Sequence, residues 1–142
     1  MIVMLFYELR IHYTRQTGED NPGVVKETYL VEGLNCSDVE GRLLEEIKPY
    51  IFGGDVEVPS CKKVQLFDII PSDEGDRWFK GRVELITVED NGKETRKAVT
   101  ILVCASTIQH AMKSLADQLS SVDCEIVSIT RSPIMEVLRA TN

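Results

Sequence analysis

From Leu5 the chain alternates. Leu5, Tyr7, Leu9, Ile11 and Tyr13 fall on one side of an extended chain, and Phe6, Glu8, Arg10 and His12 fall on the other. This period of two predicts a half-buried strand over 5–14. Turn formers crowd the following "RQTGEDNPG", and "VVKETYLVEGL", residues 24–34, predicts the returning strand of a hairpin. In "NCSDVEGRLLEEIKPY" the spacing changes to four. Val39, Leu43 and Ile47 form one apolar stripe with Leu44 beside it, the signature of an amphipathic helix. Ser37 and Glu40 match an S-x-x-E capping box, and Pro49 disfavours continuation past Lys48. After the break at Gly53-Gly54, "DVEVPSCKKVQLFDII" predicts a strand near 55–63 and a short apolar run at 64–70. Pro59 points to an edge strand or a bulge rather than a central strand.

The polar connector "PSDEGD", residues 71–76, is short enough to join two halves of one body. Beyond it the order recurs. "RWFKGRVELITV" predicts a strand, Asn91-Gly92 a hairpin turn, and "TRKAVTILVCA" the returning strand. "STIQHAMKSLADQL" follows as a helix, with Ser106 and Gln109 in capping-box positions and a stripe of Ile108, Met112, Leu115 and Leu119. "DCEIVSITRSPIMEVL" closes the chain as a strand and a short apolar run. Particular residues recur with the elements. Phe6-Tyr7 matches Trp78-Phe79, and Arg10 matches Arg82, 72 positions later. Ser37 matches Ser106 at an offset of 69, and Glu57 and Ser60 match Glu125 and Ser128 at 68. The offset falls only across loops, where length change costs little.

The expected fold is therefore α+β. Two tandem ββαβ units, each with a short extra strand, occupy 5–70 and 77–138 within a single domain spanning 1–142. They form a pseudo-twofold body of mainly antiparallel sheet covered by two helices. Arg10 with Arg82, and Glu57 with Glu125, are charged strand positions present in both units. Cross-strand ion pairing is their first reading, and a symmetric ligand site the second.

Composition narrows the function classes. With 43% hydrophobic and 27% charged residues in 142, the chain has enough apolar material for a packed core. Its net charge of −7 argues against broad nucleic-acid binding, which draws its affinity from cations on phosphates. The acidity is uneven, with 7 basic and 13 acidic residues in 1–73 against 9 and 10 in 74–142. The start "MIVMLFYELR" lacks a basic segment and a cleavage site, and no apolar run reaches membrane-spanning length, so a cytoplasmic location without membrane contact is expected. Cys36, Cys61, Cys104 and Cys124 have no C-x-x-C pairing and no histidine at ligand spacing. They read as reduced cysteines packed as small hydrophobes, with no metal site.

Chemistry is sparse. His12 and His110 occupy non-equivalent places, with no nucleophile elbow near either. "FGGD" leads into a strand, so it is no phosphate-binding loop, and Glu45-Glu46 are neighbours on a helix that do not face each other. No cofactor is expected. "KETRKA" supplies the one basic cluster, Lys93, Arg96 and Lys97, which with Lys80 and Arg82 could line the second hairpin. An ordinary exposed sheet face explains it, and so does an anion contact, since the arginine fork suits phosphate. Trp78 and Phe6 each precede an arginine by four residues on one strand face, an arrangement able to stack a base. A core position explains Trp78 as well.

The motifs "TYLVEGLNCSDVEGRLLEEIKPYI", "DVEV", "DRWFKGRVELIT" and "CEIVSITRSPIMEV" together resemble an uncharacterised domain-of-unknown-function family of small proteins from Bacteroidetes and their phages. The resemblance covers essentially the whole chain, which departs from it in the longer apolar lead "MIVML". It implies a cytoplasmic bacterial or phage protein and brings no catalytic residues. Two functional expectations result. The first is a non-enzymatic binding or interaction protein, with a protein partner or a second copy as a homodimer, engaged through a sheet face or strand edge. The alternative is a small-ligand binder sequestering a nucleotide-like signal, as a phage anti-defence factor does. Its anion contacts are Arg10, Arg82, Arg96 and Lys97, with Trp78 beside them. An enzyme of unrecognised type is the third.

Overall fold

The computed structural model describes residues 5–16 and 22–140. The apolar lead 1–4 and most of the first hairpin's turn, 17–21, lie outside the described residues. The fold is α+β, with eight strands in two sheets and two α-helices among the described residues. In chain order these are β1 (Leu5–Gln16), β2 (Pro22–Gly33), α1 (Cys36–Ile47), a 3-10 turn (Lys48–Tyr50), β3 (Glu57–Val64) and β4 (Asp68–Ile70). Then come β5 (Arg77–Val88), β6 (Glu94–Ala105), α2 (Ile108–Gln118), β7 (Cys124–Arg131) and β8 (Ile134–Leu138).

The chain divides into two compact units, Met1–Gln65 with Pro133–Asn142, and Leu66–Ser132. Neither coincides with a sequence half, because each short extra strand belongs to the unit that the rest of its half does not. In the first unit the strand order is β3-β1-β2-β8, antiparallel except for the parallel β2–β8 pair. In the second it is β4-β6-β5-β7, antiparallel except for the parallel β4–β6 pair. Parallel partners need a long crossover between them, so local sequence carries no sign of these two pairings.

In the first unit the predicted alternation of β1 holds. Tyr7, Leu9, Ile11 and Tyr13 are buried beneath α1, which contributes Val39, Leu43 and Ile47. Leu44 stands beside that stripe and is partly exposed. The edge strand β3 slips register between Arg10/His12 on its partner, where β3 carries one extra residue next to Pro59. A bulge frees the backbone from the ladder there, which is where a residue without an N–H fits.

In the second unit α2 covers Phe79, Val83, Ile101 and Val103 with Ala111, Leu115 and Leu119. The expected stripe is corrected in its first turns. Ile108 and Met112 are 46% and 45% exposed, and Ala111 takes the buried position. Gly81 explains the close fit of Leu115, since a Cβ there would stand 2.8 Å from Leu115 Cδ2. The Asn91-Gly92 hairpin forms, with Gly92 at φ 83 and its N–H donating to Glu89 O.

Both capping boxes are displaced from the expected positions, the first to two residues earlier and the second to one residue later. The Asn35 side chain accepts from Asp38 N at 2.9 Å while Asp38 Oδ2 accepts from Leu34 N at 2.9 Å. Thr107 Oγ1 accepts from His110 N at 3.1 Å while His110 Nδ1 accepts from Ser106 N at 3.3 Å. Ser37 and Ser106 are therefore not the N-caps. Asn35 and Thr107 hold the extended backbone that a cap requires, and Ser37 already lies inside its helix.

The cysteines are corrected too. Cys36 and Cys61 form a disulfide, while Cys104 and Cys124 are free thiols. The sequence separation of 25 hides the pair, and the packing of the first turn of α1 on β3 brings the two Cα atoms to 6.2 Å.

Two outcomes test this packing. In urea unfolding, Leu115→Ala is expected to cost about 3 kcal/mol and Met112→Ala under about 0.5. Equal losses would mean that α2 buries the Ile108–Met112 side instead. Cys36→Ser is expected to cost about 3 kcal/mol through the lost cross-link, and an unchanged midpoint on adding reductant to the wild type would show that no disulfide forms.

Candidate functional site

The face of β1 turned away from α1 carries Phe6, Glu8, Arg10 and His12. In register, Arg10 lies between Thr28 of β2 and Ser60 of β3. In the second unit Arg82 of β5 lies between Thr100 of β6 and Ser128 of β7. Each arginine thus sits mid-strand between two hydroxyl residues, and each is exposed. Beside both rows the edge strand slips by one residue, at Arg10/His12 and at Arg82/Val83. Among the described residues neither Arg10 nor Arg82 has a carboxylate partner. A guanidinium fork without a carboxylate partner can bind a carboxylate or phosphate; of the residues beside the two arginines, Thr28 is buried and Ser60, Thr100 and Ser128 are half-buried.

The other expected contacts do not join these rows equally. Trp78, Lys80 and Arg82 alternate onto one face of β5, with the half-buried Trp78 opposite Cys104. Arg96 reaches the same face opposite Ile86, but carboxylates already surround it: Glu125 at 2.6 Å, Glu94 at 3.4 Å and Glu84 at 3.8 Å. The Glu125 hydrogen bond and the Glu94 charge hold its pKa above the ordinary arginine value. Lys97 lies opposite Leu85 and belongs to the other face. The expected pairing of Arg82 with Glu125 does not form, because Glu125 binds Arg96. Glu57 stands opposite His12 rather than Arg10.

A second polar cluster escapes the sequence reading. Glu27 of β2 is buried on the helix-covered face. Tyr13 donates to its Oε1 at 2.6 Å, Tyr29 to the same oxygen at 3.0 Å, and Arg15 Nη1 to Oε2 at 3.2 Å. The Arg15 guanidinium then lies over the Tyr50 ring, 4.6 Å from its centroid. The run Val25, Glu27, Tyr29, Val31 held the signal, since it puts a glutamate at a core-facing position of an alternating strand. An acid there must be paired. Burial, and next the hydrogen bond to Glu27, push the Tyr13 phenol up to about 12, and the same two causes raise Tyr29.

The remaining reactive groups are quiet. Burial raises the Cys104 thiol, which disfavours the thiolate that nucleophilic chemistry needs. His110 is engaged as a capping residue. Among the described residues no group of three metal-ligating side chains is assembled, and no helix is long and apolar enough to cross a membrane.

The profile of a domain of unknown function, DUF4494, matches residues 5–140. No curated protein matches the chain.

The Tyr13 phenol gives a direct test of the buried cluster. Its folded pKa lies above the ordinary value of 10.0, so the stability it contributes is fully present below pH 10.0 and is lost as pH rises through about 12. The difference in phenolate absorbance between wild type and Tyr13→Phe is expected to show a midpoint near that upper value. A midpoint at the ordinary value would mean that Glu27 does not hold the phenol.

Proposed function

We propose, for a chain that belongs to the DUF4494 family, that the protein is a non-enzymatic binding protein. Its contacts to an anionic partner are made by Arg10 and Arg82. The observation that carries this reading is the recurring row of hydroxyl, free guanidinium and hydroxyl at Thr28–Arg10–Ser60 and Thr100–Arg82–Ser128. An exposed charge kept clear of carboxylates in so acidic a chain is available for a partner's acid. The partner of first choice is a protein presenting carboxylates to the sheet face. The capping role of His110 and the buried Cys104 thiol favour binding over catalysis.

The proposal includes the architecture behind the recurrence. Two tandem ββαβ units, 5–70 and 77–138, make one pseudo-twofold domain in which each unit's last short strand pairs with the other's second strand. Support comes from the matching strand orders β8-β2-β1-β3 and β4-β6-β5-β7, each with one parallel pair in the same place. The edge slips beside Arg10 and Arg82, and the two caps with their third-residue partners, agree as well. An origin in Bacteroidetes or their phages belongs to the same reading. The Cys36–Cys61 disulfide favours an oxidising setting over the expected cytoplasm.

A second reading, sequestration of a nucleotide-like signal, has its own observation. Trp78, Lys80 and Arg82 share one face of β5, an aromatic ring followed by two cations, which suits a base with its phosphates.

A thermal-shift screen separates the readings. Nucleotides, cyclic dinucleotides and NAD-derived metabolites are offered to wild type and to Arg10→Ala and Arg82→Ala, each expected to fold with under about 0.5 kcal/mol of change. A ligand at a hundred times its Kd adds about 2.7 kcal/mol, and its loss in Arg82→Ala supports the nucleotide reading. If the screen is flat, affinity capture on wild type and on the double variant tests the protein reading. A partner held equally by both would remove the arginine rows from function.

A further inference from the structure

The buried Glu27 cluster reaches the surface at Arg15, whose side chain is partly exposed. Just after α1 the chain turns through Lys48–Tyr50 and fastens to the end of β1. Ile51 bridges Arg15, and Phe52 N donates to Thr14 O at 2.8 Å. Gly53 and Gly54, both at positive φ, then lead the chain away. The result is a recess of about 230 Å³ lined by Arg15, Pro49, Tyr50, Ile51 and Phe52.

Two features of this recess are unusual for a solvated loop. Its aromatic rings are exposed, Tyr50 to 51% and Phe52 to 49%, although an apolar core lies close by. Its single charged side chain is held rigid, with Glu27 on one side of the Arg15 guanidinium and the Tyr50 ring on the other. Arg15 Nη1 donates to Glu27, the fork carries further N–H donors, and its side chain is 32% exposed. Tyr13 and Tyr29 both donate to Glu27, so the carboxylate charge is shared among three donors and the guanidinium keeps binding capacity.

Exposed rings beside one oriented cation, in a recess whose wall is otherwise largely polar, are the elements that hold an aromatic anion. The volume falls below the few hundred Å³ of a drug-sized pocket and suits a single ring. We propose that the Arg15–Tyr50–Phe52 recess binds a small aromatic carboxylate, its oxyanion on the free edge of Arg15 and its ring against Phe52 and Pro49. This site is separate from the arginine rows and does not depend on them.

The test is a titration of the full chain followed by the backbone amide signals of Ile51 and Phe52 and the Arg15 side-chain N–H. The probes are phenylacetate, acetate, which lacks the ring, and benzyl alcohol, which lacks the charge. Phenylacetate is expected to saturate these signals at concentrations where the other two leave them unmoved. Phe52 is exposed and its backbone bond to Thr14 does not need the ring, so Phe52→Ala should fold normally and bind about tenfold more weakly. Arg15→Lys keeps a cation near Glu27 but loses the planar fork, and should lose saturable binding. The proposal is overturned if acetate moves the same signals equally, if folded Phe52→Ala binds as well as wild type, or if phenylacetate moves none of them at its solubility limit.

Discussion

The placement of both arginine rows hangs on the register of two central strands. β1 and β5 are each hydrogen-bonded on both sides, so their backbone polar groups are satisfied within the sheet and their side chains divide strictly between two faces. One face is committed to a helix. On β1 that face is Tyr7, Leu9, Ile11 and Tyr13, and on β5 it includes Phe79, Gly81 and Val83. The other face inherits Arg10 and Arg82. A slip of one residue would drive either arginine beneath a helix, where an unpaired charge costs several kcal/mol. The arginines are therefore free because the core beneath them is not.

The edge strands show how that register tolerates irregularity. β3 and β7 each carry one extra residue beside the arginine row, and each is an edge, where a bulge disturbs a single ladder. A bulge also makes an edge a poor template for another strand. These two edges are thus poor sites for strand addition, and the rows of Arg10 and Arg82 lie beside them on the sheet face.

Local pattern and long-range packing were not equally legible in the sequence. The alternation of 5–14, the Val39–Leu43–Ile47 stripe, the Asn91-Gly92 hairpin and the edge position of Pro59 follow from neighbours in sequence, and all are present. The parallel partners of β4 and β8 and the disulfide are contacts across long separations, to which periodicity is blind. The misplaced caps have a different cause. Asn35 and Ser37, like Ser106 and Thr107, are all competent capping residues, and only the angle at which the chain leaves a strand chooses between them. In α2 the hydrophobic Ile108 and Met112 outweighed small Ala111 in the pattern, whereas a tight approach to Gly81 favours the small residue. Glu27 was legible in principle, because an acid in phase with Val25, Tyr29 and Val31 must find partners.

Charge alone does not decide which cations can bind, as the two arginines of the second unit demonstrate. Arg82 and Arg96 reach the same sheet face, yet Arg96 is enclosed by three carboxylates while Arg82 lies in register between Thr100 and Ser128. Arg15 is a third case, paired with Glu27 but fixed in direction, so that little freedom is lost when a ligand arrives. In a chain of net charge −7 the mean field repels anions, although salt at physiological strength screens it beyond about 8 Å. An anion that binds must recover at contact what the mean field withholds. The gain is greatest where the fork is planar, pre-aimed and flanked by further donors or a ring. Such sites discriminate by shape, because a bare anion that cannot use the flanking groups keeps the repulsion and gains little.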